Sequence, residues 1–153
     1  MIIKFKEPPY LPASPKVIQQ DHKQQLILDA KDAIVHGKLL RYEPQPHKNT
    51  VGYWANENDW CEWKLNLESP GVYDVFILQG CGKGQGGSEV NLSVNDRELK
   101  FTVEDTGHFQ NFKERHIGTV KIDKTGAQTL QLKPHRKAKN AVMDVRQIRL
   151  VKH

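Results

Sequence analysis

The stretch Gly82-Lys83-Gly84-Gln85-Gly86-Gly87 spells G-x-G-x-x-G, a pattern that in other chains holds a pyrophosphate. That chemistry needs glycines that turn a strand directly into a helix, whose first amides face the anion. Here they lead into Ser88-Glu89-Val90-Asn91-Leu92-Ser93-Val94, where apolar and polar residues alternate as in a strand. Lys83 is also followed by Gly84, where a P-loop needs Ser or Thr for magnesium. The residues therefore predict a loop joining two strands, with glycines supplying backbone conformations at positive φ. Such a loop can also let a ligand approach the main chain, with Lys83 or Gln85 as a donor.

Other chemistries have less support. Catalysis takes either an activated nucleophile or two carboxylates held at a fixed separation. Glu57 and Asp59 are close in sequence but share one polar turn, residues 55–59, and have no general-acid partner. They read as a solvated turn. His36, His47, His108, His116 and His135 are scattered without metal-ligand spacing. Cys61 and Cys81 cannot form a disulfide framework and read as free thiols. No catalytic residues and no metal centre are predicted.

The 153 residues, 37% of them hydrophobic, suffice for one well-buried core. Lys and Arg outnumber Asp and Glu by 23 to 18, which mildly favours acidic partners. The basic run 134–140 is not interleaved with aromatics, so nucleic acid is not an expected partner. No run of apolar residues approaches a membrane span, and the opening residues lack a secretory signal. That predicts a cytoplasmic protein if the chain is complete, and a secreted or periplasmic one if it was excised from a longer protein. Residues 1–24, with Pro8, Pro9, Pro12 and Pro15, read as an extended arm or linker, and residues 25–153 as the folded unit.

The elements that must position any site are strands. Cys61, Trp63, Leu65 and Leu67 share one face, and Ser69-Pro70-Gly71 then turns the chain into the alternating stretch 72–78, which is a hairpin signal. The pairs and triplets Val90/Leu92/Val94, Leu99/Phe101/Val103, Val120/Ile122 and Leu130/Leu132 continue the period of two, and residues 141–151 return the chain to the sheet. Seven or more short strands without a helix predict an all-β fold, a two-sheet jelly-roll β-sandwich.

Four segments then carry a resemblance: "LILDAKDAIVHGKLLRYE", "VGYWANENDWCEWKLNLESPGVYDVFILQGCGKGQGGSEV", "VEDTGHFQNF" and "AVMDVRQIRL". In this order, from about Leu26 to Val151, they resemble the β-sandwich accessory domain of bacterial fucosidases and arylsulfatases. That domain is similar to family 6 and family 35 carbohydrate-binding modules, which have a galactose-binding-domain-like jelly roll. The resemblance implies a non-catalytic domain that binds carbohydrate among loops at one end of the sandwich.

Residue by residue, "VGYW" resembles the segment supplying one aromatic wall, which implies Tyr53 and Trp54. "DTGHFQNF" resembles the loop whose aromatic forms the opposite wall, which implies Phe109 or Phe112 where the modules usually carry Trp. The modules place an Asn just before an Asp in the final strand; Asn140 matches loosely, four residues before Asp144. They also hold a structural calcium with an N-terminal "EAE" and this Asp. Here the stretch reads Asp29-Ala30-Lys31, so the resemblance implies that Lys31 neutralises Asp144 in place of the ion; no cofactor is expected, with a structural calcium as the disfavoured alternative.

The residues themselves refine these roles. One of Tyr53 and Trp54 must face inward and the other outward, the exposed ring being the better ligand candidate. Trp63 belongs to the core, while Trp60 can either cap the sandwich or form a binding platform. Alternation puts Asp144 on the face of Val142, Ile148 and Leu150, where a buried carboxylate needs a partner. The expected site therefore combines Tyr53, Trp54, Trp60, Phe109 and Phe112 for stacking with Asn56, Asp59, His108, Lys137 and Asn140 for polar contact. Its glycan would be acidic or sulfated if the basic loop carrying Lys137 lies at that end. The alternative is an interaction or structural accessory domain of a glycosidase or sulfatase, with the same aromatics packed against a catalytic domain or partner protein.

Overall fold

The computed structural model describes residues 15–153. Along the chain, strands form at β1 (Val17–Gln19), β2 (Gln25–Asp29), β3 (Ile34–His36), β4 (Arg41–Glu43), β5 (Thr50–Gly52) and β6 (Trp60–Leu67). They continue with β7 (Gly71–Cys81), β8 (Glu89–Val94), β9 (Arg97–Thr102), β10 (His108–Ile122), β11 (Gly126–Arg136) and β12 (Asp144–Lys152). A single 3-10 turn, Ala30–Asp32, interrupts them. Two six-stranded sheets result: a front sheet ordered β1-β6-β11-β8-β9 with β3 also on β6, and a back sheet ordered β10-β7-β12-β5-β4 with β2 on β12. This is the predicted all-β, two-sheet jelly-roll sandwich.

The core lies between the sheets, where the period-two rows meet. Cys61, Trp63, Leu65 and Leu67 of β6 share it with Tyr73, Val75 and Ile77 of β7 and with Ile148 and Leu150 of β12. Burying one large apolar side chain contributes roughly 1.5–3 kcal/mol, so these rows dominate the stability. Trp63 also needs a partner for its indole N–H, which donates to the Asp29 carbonyl at 2.9 Å. Both cysteines are free and buried. Burial pushes the Cys61 thiol well above its ordinary range, and burial, then Asp105 and Asp144, raise Cys81 to about 11.

Two sequence expectations change. The turn at Ser69-Pro70-Gly71 does not make a hairpin: β6 pairs with β1, β3 and β11, whereas β7 pairs with β10 and β12. The chain crosses from one sheet to the other there. Alternation fixes which row of a strand faces the core but does not choose its neighbour, and these two apolar rows meet face to face. Of the predicted arm, residues 1–14 lie outside the described residues, while Val17–Gln19 pairs in parallel with Lys64, Leu65 and Asn66 of β6. Ile18 is buried by that pairing, so the sandwich extends further upstream than Gln25.

Candidate functional site

Three departures from regular strand geometry build a cavity at one end of the back sheet. The first is in β12, where the register against β7 slips between Val145, opposite Gln79, and Gln147, opposite Leu78. This extra residue inverts the alternation. Val145 therefore takes the core-facing row with Ile148 and Leu150, and Asp144 points to the other side. The expected placement of Asp144 on the face of Ile148 and Leu150 is thus corrected by one bulge.

The second departure is in β10. His108 is opposite Cys81 and Lys113 is opposite Gln79, so the residues from Phe109 to Phe112 bulge out against Gly80 alone. Gly80 has to lack a side chain, since a Cβ there would lie 2.1 Å from the Phe109 carbonyl oxygen. The bulge is fixed by its own polar groups: Gln110 N–H donates to His108 Nδ1 at 3.0 Å, and the Asn111 amide donates to the Thr106 carbonyl at 2.6 Å. Third, Tyr53 follows β5 with φ of +57°, a left-handed conformation that is unfavourable for an aromatic residue. Its ring is 51% exposed and lies under the Arg41 guanidinium, 4.9 Å from the ring centroid.

These departures converge on a cavity of about 350 Å³. Tyr53 and Phe109 supply its exposed aromatic surface, with Trp54, Ala55 and Ala141 adding apolar lining. Glu43, Gln110, Asn140 and Asp144 are its polar groups. Trp54 is 1% exposed, so its edge forms lining while its indole N–H donates to the Asp59 carbonyl at 2.9 Å. One ring facing out and the other in was expected; the structure makes Tyr53 the outward one and Trp54 the inward one.

The acids set the electrostatics. Glu43 and Asp144 come from strands on either side of β5, and between them lies Gly52 without a side chain. A Cβ on Gly52 would lie 2.5 Å from Glu43 Oε1 and 3.2 Å from Asp144 Oδ1, so both oxygens crowd one point. Glu43 Oε2 faces the other way, 3.2 Å from Arg41 Nη2 and 3.7 Å from Lys48 Nζ. Burial and then the Glu43 charge push Asp144 up to about 7, against weaker help for its ionised form from Gln110 and Lys48. Lys31 does not neutralise it: the 3-10 turn at Ala30–Asp32 leaves Lys31 exposed, and the Asp29 carboxylate accepts from Gln147 instead. Among the described residues, no cluster of three His, Cys, Asp or Glu side chains could hold a metal ion.

Of the ten residues expected at the site, Tyr53, Trp54, Phe109 and Asn140 are brought together here; the other six are held elsewhere. Asp59 is 1% exposed, and its carboxylate accepts from the amides of Lys38, Leu39 and Leu40 at 2.9, 2.9 and 3.0 Å. Burial alone would raise its carboxyl, but the amides of Leu40, Lys38 and Leu39 overcome that and hold it below the ordinary range. It is a buried, amide-bonded residue and not a solvated turn residue. Asn56 accepts from the Asn58 amide in the same turn. Trp60 caps the front sheet, with His36 stacked at 4.1 Å and the Lys133 ammonium 4.3 Å from its ring centroid. Phe112 is covered by the Arg146 guanidinium at 3.8 Å, His108 shapes the β10 bulge, and Lys137 Nζ donates to the Ala55 carbonyl at 2.8 Å.

Sequence reasoning did not point to Glu43, Gln110, Ala55 or Ala141. The glycine loop, by contrast, is the predicted connection, joining β7 to β8 across the sheets. Gly82 lies against the Phe109 ring, where a Cβ would approach a ring carbon to 2.5 Å. Gln85 Oε1 accepts from the Asn140 and Ala141 amides at 2.8 and 3.3 Å. Gly84 and Gly107 amides both donate to Asp105, which ties the loop to the segment leading into β10.

Solved structures share this architecture. The C-terminal CBM6 of the marine laminarinase LamC from Zobellia galactanivorans superposes with a TM-score of 0.68 at 20% identity, over 84% of this chain and 99% of that one. A family 35 carbohydrate-binding module from Clostridium thermocellum gives 0.63 at 18% identity, over 84% and 98%. An α-L-fucosidase from Vibrio sp. strain EJY3 gives 0.55 at 13% identity, with 90% of this chain covering 24% of the enzyme. At these identities the likeness establishes the galactose-binding-like sandwich fold. No curated protein sequence matches the chain. A family profile, "Domain of unknown function (DUF5077)", spans residues 41–153 and so takes in every residue lining the cavity; the chain belongs to that family.

Proposed function

We propose that the chain is a non-catalytic carbohydrate-binding module whose ligand occupies the cavity between Tyr53 and Phe109. The observation that carries this reading is Tyr53 itself, a half-exposed aromatic held in an unfavourable backbone conformation at the mouth of a cavity with acids and amides at its base. Sugars present apolar C–H faces and a ring of hydroxyls, so their recognition combines flat aromatic surface with a few placed polar groups. Gln110, Asn140, Glu43 and Asp144 supply those groups. The likeness to CBM6 and to a family 35 module supports the reading, and the match to about a quarter of a fucosidase supports an accessory role beside a catalytic domain.

The two acids are not a hydrolytic pair in this reading. Hydrolysis needs carboxylates flanking the scissile bond, whereas Glu43 and Asp144 sit side by side across Gly52 on one sheet. An acidic or sulfated glycan has little support either. The charged side chains lining the cavity are both acids, and the nearby Lys137 is already bonded to Ala55.

A glycan array read with the native chain, Tyr53→Ala and Phe109→Ala tests the proposal. The native chain is expected to retain at least one glycan class and each substitution to lose it. Retention by no glycan, or retention unchanged in both variants, would sink it.

A further inference from the structure

Resting on the carbohydrate reading, we propose that the sugar unit in this cavity carries a free ammonium group, seated where Glu43 Oε1 and Asp144 Oδ1 converge. The two oxygens of Glu43 have different surroundings. Oε2 is paired with Arg41 and Lys48, while Oε1 is turned toward Gly52 and the Asp144 carboxylate. Asp144 is 4% exposed and lines the cavity, yet among the described residues no Lys, Arg or His comes within ion-pair distance of it. Gln110 offers it one amide, and a carboxylate has about four acceptor positions. The base of the cavity is therefore rich in acceptors and poor in donors.

A ligand that supplies donors and positive charge at that point converts a repulsive pair into two attractions. An ammonium group is compact enough to face both oxygens, and the Phe109 ring adds a favourable surface for a cation, the Tyr53 ring already carrying the Arg41 guanidinium. N-acetylation removes the charge and adds bulk, a hydroxyl supplies one donor without charge, and a uronate adds negative charge beside Glu43. The expected order of binding is amino sugar, then neutral sugar, then uronate.

The charged and titratable groups facing Asp144 are Glu43 with its partners Arg41 and Lys48, from β4 and the segment after it, and the Cys81 thiol from β7. Gln110 from β10 is neutral. Because Asp144 holds its proton to about pH 7, seating an ammonium there displaces that proton. Amino-sugar binding should therefore pass through a maximum near neutral pH, strengthening as Asp144 ionises and weakening as the sugar's own ammonium loses its proton, and neutral-sugar binding should show no such maximum.

Isothermal titration calorimetry of the full chain against tetramers of glucosamine, N-acetylglucosamine, glucose and glucuronate decides the matter. Glucosamine is expected to bind roughly tenfold more tightly than its N-acetyl counterpart. Glu43→Gln and Asp144→Asn should each erase most of that preference, Asp144→Asn without lowering the melting temperature, and Asp144→Asn should also remove the rise in affinity on the acid side of the maximum. If neutral or acidic tetramers bind as well as glucosamine and Tyr53→Ala abolishes them, the ammonium proposal fails while the carbohydrate reading stands. A glucosamine preference that survives both acid substitutions also overturns it. If no tetramer binds and the glycan array is equally blank, the carbohydrate reading fails and takes this proposal with it.

Discussion

Asp59 and Asp144 are both buried acids in the same sandwich, and their surroundings drive them in opposite directions. Burial favours the neutral form of each. Around Asp59, three backbone amides from the segment after β3 converge on the carboxylate and outweigh that effect. Around Asp144, the nearest charge is another acid, and a single side-chain amide cannot offset it. An acid saturated by the backbone is part of the scaffold, whereas one left short of donors at the base of a cavity is available to a ligand. Burial alone would have grouped the two.

The most severe way to probe this contrast is to remove the scaffold acid. Asp59→Ala strands three amides that its carboxylate accepts from, so urea unfolding should show a loss of about 3 kcal/mol. Asp144→Asn, by comparison, should be neutral or stabilising at about pH 8; a larger loss there than at Asp59 would erase the distinction.

Next in size is the pH response. With its folded pKa above the unfolded value of about 3.9, Asp144 binds its proton more tightly in the native state. Its contribution to stability therefore falls as pH rises from about 4 to about 7 and is flat above that, a change that Asp144→Asn should remove. Asp59 has the opposite sign: its stabilisation is present above about pH 4 and is lost as pH falls through its lowered native value. Melting curves of the native chain and both variants across this range would separate the two.

A smaller effect is expected at Gly52, where alanine would drive a Cβ into Glu43 Oε1. Gly52→Ala should cost about 1 kcal/mol of stability and roughly tenfold in glycan affinity, measured on the same preparation. Smallest of all in stability is Tyr53→Gly, which relieves the left-handed backbone and removes the ring. It should shift Tm by no more than about 3 °C while abolishing glycan binding. A much larger fall in Tm would make Tyr53 a scaffold residue and move it to the other side of the comparison.

The strands were legible because a half-buried strand must alternate. Trp63, Leu65 and Leu67 could be assigned to the core, and the glycine motif could be rejected as a nucleotide site, from that rule alone. Partner choice was not legible, which is why β6 and β7 read as a hairpin but lie in opposite sheets. The site was legible only in its aromatics, because each of its other members depends on an irregularity. Asp144 reaches the cavity through an extra residue in β12, and Gln110 reaches it through four residues set against one in β10. Glu43 has no pattern of its own; only its position across Gly52 from Asp144 gives it meaning. The aromatic at the mouth was found by resemblance, but its left-handed backbone has no glycine to announce it.

The loop of glycines that opens the molecule to misreading has one more consequence. It touches two parts of the cavity without lining it: Gly82 sits against the Phe109 ring, and Gln85 holds the Asn140 and Ala141 amides. Changing its length by one residue would therefore shift both parts together while leaving the sheets and the acids in place. The width of the cavity is in effect adjustable from outside, by insertion or deletion in a surface segment. That makes this loop the natural place to vary when a relative of this chain, or an engineered version of it, must admit a sugar of a different size.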